Sequence, residues 1–420
     1  MIREIHSIGP ADMTVSAPPS KSYTHRALIT GALGTGTTTL VNPLYADDTL
    51  LTIDALKALG VPVVVEPDRV TITGCGGRFP TSGEVTLDLD NSGTSLRLIT
   101  SLALLCPHPV ILTGSSRMQE RPIGPLAEAI RSLGGNVEFL ENEGFPPIRV
   151  SGRLEGGTVE IDGSISSQFI SSILIAAPYA ETPVEVFIPT PAASASYLDI
   201  TLDVMETFGG NISREGYSRF RVSNKDRYTG RTYAVEGDYS SASYFCAIPA
   251  VCGGRATVKN LRPTSVQGDR MFLEALRSMG CTVTYSDNAV TVERTGPLRG
   301  IRADMSSSPD TVQTLSIVAA MAETPTTITG IGHLKFKESD RIGGTAERLR
   351  SLGAKVEIGT DQIMIVPQPL HGGTIDPEND HRTAMSFAVL GLAIGGITIT
   401  NAECVNKSFP GFWDILDEVL

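Results

Sequence analysis

A pattern of about 70 residues returns six times along this chain, and no other feature narrows its fold as much. Each copy opens on a short polar turn, enters an apolar helix and leaves through a strand bounded by glycine and threonine. SKSYTHRALITGALGTGTTTLV is the first and SGTSLRLITSLALLCPHPVILTG the second; the others open on SSQF, SSAS, PDTV and DHRT. The polar heads sit at Lys21, Gly93, Ser166, Ser240, Asp310 and Asp380, in steps of 72, 73, 74, 70 and 70 residues. Chance apolar runs do not keep such a step, so each unit is one supersecondary element packed against its neighbours.

A second marker keeps the same period. Amphipathic helices end at Leu59-Gly60, Leu133-Gly134, Phe208-Gly209, Met279-Gly280 and Leu352-Gly353, with glycine at the C-terminal cap. A hairpin follows each glycine, for instance Val61 to Val65, a Pro-Asp turn and Val70 to Thr73, or Val283 to Tyr285 and Val290 to Glu293. Each unit therefore reads β-α-β-α-β-β. The sixth stops inside its second helix, Phe412 to Leu420, and Met1 to Ser7 is the segment able to supply its missing strand.

The first helix of each unit is apolar all round and the second is amphipathic, which predicts apolar helices packed together with sheets outside. Six units divide into three and three. The boundary falls near Val235 to Tyr239, and the leader before Ser20 returns to the second half. Helix N-termini converging on a cleft between two halves are the expected result, with closure over a ligand.

The heads carry more chemistry than capping requires. The first has Lys21, Ser22 and Arg26; the second Asn91, Gly93, Thr94 and Arg97, with Gly93 allowing close approach to free backbone N–H groups; the third Ser166, Ser167 and Gln168; the sixth Asp380, His381 and Arg382. Loops add Arg117 to Pro122, Lys335 to Arg341 and Asn406 to Pro410. The chain has only eight lysines and a formal net charge of −12, yet Lys21, Lys337 and Lys407 fall in these places, so a cationic site is expected in an anionic protein. Guanidinium forks and serine hydroxyls at helix ends suit phosphate and carboxylate. Asp310 and Glu338 stand among these cations, where anion binding alone would exclude them, and they read either as an acid and a base or as helix-end charges. Asp47 and Asp48 read as cap and first-turn charge, and His25 and His333 as local polar contacts.

Composition closes other classes. The acidic balance and the lack of any basic run with interleaved aromatics argue against nucleic-acid binding. Six scattered cysteines lack metal-ligand spacing and read as reduced thiols, which points to the cytoplasm. No apolar run approaches membrane-spanning length, and the N-terminus lacks the n- and h-regions of an export signal.

The stretches SKSYTHRA, NSGTSLR, MQERPIG, SSQF, SASYLDIT, Pro309-Asp310, KESDR, DHRTAM and NKSFPGF, in this order, resemble the 5-enolpyruvylshikimate-3-phosphate (EPSP) synthase family over essentially the whole chain. The resemblance implies an α/β fold, a two-domain inside-out barrel with three units per domain. Its limits here are 19–236 for the first domain and 1–18 with 237–420 for the second. It also implies a monomer that needs no cofactor or metal and takes two small-molecule substrates, phosphoenolpyruvate and shikimate 3-phosphate. The enolpyruvyl group would pass to the 5-hydroxyl of the second with release of phosphate.

Carried onto matching positions, Ser22 and Arg26 would hold the shikimate carboxylate, and Ser166, Ser167, Ser194 and Lys337 its phosphate, with Tyr197 alongside. Gln168 would lie between the substrates. Lys21, Gly93, Arg121, Arg341, Arg382 and Lys407 would surround phosphoenolpyruvate, with Asn91, Thr94 and Arg97 supporting the second head; Lys21 and Asp310 would also face the shikimate partner. Asp310 would take the 5-hydroxyl proton, and Glu338, alone or with Lys21, would handle the methylene proton. Two positions depart from the family: Gly332-His333-Leu334 where asparagine is frequent, and Leu98 where proline is. A sister transferase acting on UDP-N-acetylglucosamine would need a reactive cysteine between Ser115 and Arg121, and none occurs. A noncatalytic binder of anionic metabolites would have no use for both Asp310 and Glu338.

Overall fold

The structure, a computed structural model, describes residues 1–419; the last residue of the expected helix Phe412 to Leu420 lies outside them. The chain forms two compact units, one of Lys21–Val235 and one of Met1–Ser20 together with the chain from Glu236 on. Each has its own hydrophobic core. The helices are α1 (Lys21–Leu33), α2 (Asp47–Ala58), α3 (Gly93–Thr100), α4 (Gly124–Ser132), α5 (Ser167–Ala176), α6 (Ser196–Thr207), α7 (Tyr239–Cys252), α8 (Met271–Ser278), α9 (Val312–Ala320), α10 (Arg341–Ser351), α11 (His381–Ile394) and α12 (Phe412–Val419). None of the helices among the described residues is long and apolar enough to cross a membrane.

Odd-numbered helices up to α11 begin within two residues of the polar heads and are buried nearly all round. In the unit from Glu236 on, α7, α9 and α11 pack on one another; in the other, α3 packs on α5 and α1. Side chains such as Leu28, Ile29, Leu98, Phe169, Phe245 and Leu315 are fully buried, each contributing about 1.5–3 kcal/mol. Water is excluded, so these helices need not be amphipathic. The even-numbered helices α2, α4, α6, α8 and α10 each show one apolar face and end at the expected glycines. Gly60, Gly134, Gly209, Gly280 and Gly353 have φ between +87° and +110°, the left-handed region that an L side chain enters only at a cost.

The apolar run of the second repeat does not form one continuous helix. Thr100 Oγ1 bonds back to the Leu96 carbonyl at 2.6 Å, and beyond it the chain tightens into a 3₁₀ turn over Ser101–Leu105 before Pro107.

Each four-stranded sheet has one parallel pair followed by an antiparallel hairpin, as in Val85–Asp88, Val110–Thr113, Ile148–Gly152 and Gly135–Phe139. Two units do not begin with their own first strand. Thr232–Ala234, from beyond the third repeat, pairs in parallel with Thr37–Val41 and completes the first sheet. The leader Ala11–Ser16 pairs in parallel with Gly254–Lys259 and completes the fourth. The sixth sheet has three strands, and Arg3–Ile5 lies antiparallel to Ile397–Ile399, in the register Arg3 opposite Ile399. Met1 to Ser7 thus supplies that strand. The chain passes from one unit to the other at Ser20/Lys21 and Val235/Glu236, where Ser20 N–H donates to the Glu236 carbonyl at 2.7 Å.

Candidate active site

In the unit Lys21–Val235, the N-termini of α1, α3 and α5 carry the first three heads. Lys21 Nζ lies 2.9 Å from Asp48 Oδ2, and the Asp48 side chain is only 3% exposed. Ala46, not an aspartate, occupies the cap of α2. The reading of Asp47 as the cap is corrected; Asp48 is a first-turn charge as read, and it also holds the ammonium of the first head.

Arg26, one turn into α1, is 1% exposed. It donates to Thr201 Oγ1 at 2.7 Å, to the carbonyls of Ser22 and Tyr197 at 3.1 and 3.2 Å, and to Ser171 Oγ at 3.5 Å. All these acceptors are neutral, and burial pulls the guanidinium down to about 10. A buried cation with only neutral partners is electrostatically suited to a bound carboxylate.

At the second head Ser92 caps α3, its hydroxyl accepting from Ser95 N–H. Arg121 crosses directly over the following glycine and donates to both the carbonyl and the side-chain oxygen of Asn91 at 3.3 Å. A Cβ placed on Gly93 would stand 2.5 Å from Arg121 Nη2, so this position must be glycine for the guanidinium to lie where it does. Arg97 donates to Gln168 Oε1 at 2.9 Å, and Gln168 Nε2 donates to Thr94 Oγ1 at 2.9 Å. The Gln168 amide thereby spans the second and third heads with a defined orientation. At the third, Ser166 caps α5 by accepting from Gln168 N–H at 3.3 Å, Ser167 and Ser194 are buried, and Ser194 takes a left-handed φ of 56°.

In the other unit the charges converge on Arg341, the first residue of α10. Its side chain is 2% exposed and donates from Nη1 to Asp310 Oδ1 at 3.0 Å, from Nη2 to Glu338 Oε2 at 2.8 Å and from Nε to Asp380 Oδ2 at 2.8 Å. Arg382 covers the other face of Asp310, with Nη2 2.6 Å from Oδ2 and Nη1 3.1 Å from the main-chain oxygen, and its Nη1 also reaches Ser240 Oγ at the fourth head. Each oxygen of Asp310 therefore accepts from a different guanidinium, an arrangement that favours the carboxylate. Asp310 lies in a 3₁₀ turn, Pro309–Thr311, ahead of α9 and does not cap that helix.

Asp380 does cap α11, accepting from Arg382 N–H at 3.0 Å and from Ser339 Oγ at 2.9 Å. Burial alone would raise its carboxyl; the charge of Arg341, with His381 3.9 Å away, takes it below the ordinary 3.8. Glu338 stands in the loop ahead of α10, with its carboxylate 11% exposed, and not in the helix's first turn. Lys337 precedes it, and Lys407 ends the 3₁₀ turn Ala402–Lys407. Burial first and Lys337 second push His333 down to about 3, so it is neutral at physiological pH. All six cysteines are free thiols; burial raises Cys106 and Cys246 to about 12, which leaves them unreactive.

Sequence reasoning counted Asp380 among the sixth head's polar groups but did not foresee its pairing with Arg341, nor that of Asp48 with Lys21. Asp380 has a signal, an N-cap aspartate two residues before an arginine. Asp48 has none beyond standing second in a helix.

A profile described as EPSP synthase (3-phosphoshikimate 1-carboxyvinyltransferase) matches residues 5–416. The chain is 62% identical over 416 residues to the 3-phosphoshikimate 1-carboxyvinyltransferase of Methanoculleus marisnigri, covering 99% of each. It is 63% identical over 409 residues to that of Methanoregula boonei, covering 97% of each. Among solved structures, an EPSP synthase from Acinetobacter baumannii superimposes with a TM-score of 0.83 at 28% identity, over all of this chain and 98% of that one.

Proposed function

The chain belongs to the EPSP synthase family, and from that premise we propose which of its residues carry the reaction. That reaction moves the enolpyruvyl group of phosphoenolpyruvate to the 5-hydroxyl of shikimate 3-phosphate and releases phosphate, in the shikimate pathway. Both substrates are polyanions, so the enzyme must set many cations around two reacting centres and still keep a base and an acid among them.

The observation that carries the assignment is the Asp310 carboxylate between Arg341 and Arg382. Held as an anion with both oxygens oriented, Asp310 accepts the proton of the 5-hydroxyl as that oxygen attacks the enol carbon. Glu338, a carboxylate beside Arg341 in the free protein, takes up a proton as the anionic substrates bind and delivers it to the methylene carbon, with Lys21 the other candidate donor. The tetrahedral adduct then loses phosphate with the proton transfers reversed. Arg341, Arg382 and Lys407 serve phosphoenolpyruvate together with Lys21, Arg121 and the Gly93 N-terminus of α3, supported by Asn91, Thr94 and Arg97. Ser22 and Arg26 take the shikimate carboxylate. Ser166, Ser167, Ser194 and Lys337 take its phosphate, with Tyr197 beside them and Gln168 between the substrates. The protein works as a monomer in the cytoplasm.

Phosphate release is the direct test. It should require both substrates, and light scattering under assay conditions should give the mass of one chain. Release with UDP-N-acetylglucosamine in place of shikimate 3-phosphate would transfer the chain to the sister activity.

Gly93→Ala is expected to keep the fold and to raise the KM for phosphoenolpyruvate. The new methyl group must push the Arg121 guanidinium aside, and a displaced charge-assisted contact is worth about 1.5–3 kcal/mol, or roughly 10- to 100-fold. The KM for shikimate 3-phosphate should change much less. Parallel losses for both substrates would place Gly93 and Arg121 elsewhere in the mechanism.

A further inference from the structure

Beneath the first two heads lies a chain of buried hydroxyls that no step above uses. His25 Nδ1 is 2.8 Å from Thr52 Oγ1, Thr52 Oγ1 is 2.8 Å from Ser95 Oγ, Ser92 Oγ is 2.7 Å from Ser95 Oγ, and Ser95 Oγ donates to the main-chain oxygen of Asp48 at 3.0 Å. His25, Thr52, Ser92 and Ser95 are all fully buried.

The proton count orders this chain. A serine hydroxyl has one hydrogen, and Ser95 gives it to a carbonyl, which can only accept. Ser95 must then accept from both Thr52 and Ser92. With its own hydrogen so committed, Thr52 can only accept from His25, which must carry its proton on Nδ1. Every bond runs one way, from α1 through α2 and α3 and back to the first turn of α2. It ends on the backbone of Asp48, whose carboxylate holds Lys21. Thr52 stands one turn beyond Asp48 on the same helix face, and Ser92 is the residue before Gly93.

We propose that Thr52 and Ser95 are positioning residues for Lys21, fixing through the first turn of α2 where its ammonium stands relative to the Gly93 head, a role that rests on the assignment of Lys21 to phosphoenolpyruvate given above. Such one-way chains tolerate no missing member, because each loss strands a buried donor or acceptor.

Thr52→Val keeps the shape and removes both functions of the hydroxyl; Thr52→Ser keeps them. Thr30→Val is the control, since the Thr30 hydroxyl is buried in α1 without a hydrogen-bond partner among the described residues. Thr52→Val should raise the KM for phosphoenolpyruvate about fivefold or more while that for shikimate 3-phosphate stays within about twofold, and Thr52→Ser and Thr30→Val should behave as wild type.

A readout independent of turnover is acylation of Lys21 by an amine-directed reagent, measured by peptide mass against the exposed Lys57. It should change at least about threefold in Thr52→Val and return in Thr52→Ser. Unchanged Lys21 labelling, equal rises in both KM values, or failure of serine to restore either would overturn the proposal. If Thr52→Val does not fold, Ser95→Ala carries the same expectation. A wild type that releases no phosphate removes the functional reading alone, and the labelling then decides the network by itself.

Discussion

Asp310→Asn and Glu338→Gln are each expected to lower turnover by about 10² to 10⁴ while leaving the fold and shikimate 3-phosphate binding nearly intact. The charge balance of the cluster gives the reason for the second half of that statement. Two guanidiniums, Arg341 and Arg382, face three carboxylates, Asp310, Glu338 and Asp380. Neutralising either Asp310 or Glu338 brings the count to two against two, and the amides keep an oxygen for the arginines. Stability should therefore hold where proton transfer fails. If these groups served only as helix-end charges, the amides would cost about 1 kcal/mol or less and catalysis would hardly change. Turnover within ~3-fold of wild type for both variants, at saturating substrates, would remove the acid-base assignment and leave Lys21 as the proton carrier.

Arg341→Met should act in the opposite way, through stability. It leaves three carboxylates facing one guanidinium, with Asp380 wholly buried, and breaking a buried pair from one side costs about 3–5 kcal/mol. The pH dependence should also change sign. In the wild type Asp380 is held below its unfolded value by Arg341, so its contribution is complete above 3.8 and is lost as pH falls through the lower folded value. Without Arg341, burial and the charge of Glu338 raise that carboxyl against the opposing effect of His381, so the variant should lose stability as pH rises through the raised value. Denaturant titrations at several pH values between the acid range and neutrality read both slopes. Parallel slopes in wild type and variant would mean that Asp380 does not depend on Arg341 for its charge.

The repeat, the head positions and the glycines that end the even-numbered helices could all be read from the chain, because each is a local pattern enforced by backbone geometry. Lys21, Gly93, Gln168, Asp310, Glu338, Arg341 and Arg382 stand at helix ends for the same reason. Partnerships were harder to read. Asp48 reaches Lys21 across 27 residues and Arg382 reaches Asp310 across 72, and nothing in sequence spacing says which of many carboxylates an arginine will choose. The strand exchanges were only half legible. The leader's return to the second half follows from the repeat boundary, but the use of Thr232–Ala234 to complete the first sheet depends on pairing 193 residues apart, as Thr232 with Thr39 shows. Burial decided the remainder: hydroxyls that look like ordinary helix residues in Thr52 and Ser95 become a directed chain only because water is absent there.

The pairing of Arg3–Ile5 with Ile397–Ile399 and of Ala11–Ser16 with Gly254–Lys259 separates the order of synthesis from the order of assembly. Residues 21–235 contain every strand of their own three sheets and can complete them while the ribosome is still making the rest. Residues 1–20 are made ahead of that unit, yet their strands must wait for partners that follow it, Gly254–Lys259 and Ile397–Ile399. Until then two strands with unsatisfied edges trail from a finished unit, the state most exposed to wrong pairing. The chain ends lie together, with the Met1 amino group on Glu403 and Arg3 on Asp417. A permuted chain that begins at Lys21 and joins the old termini through a short linker would make each unit from consecutive residues, and should refold faster without altering any residue of the catalytic groups.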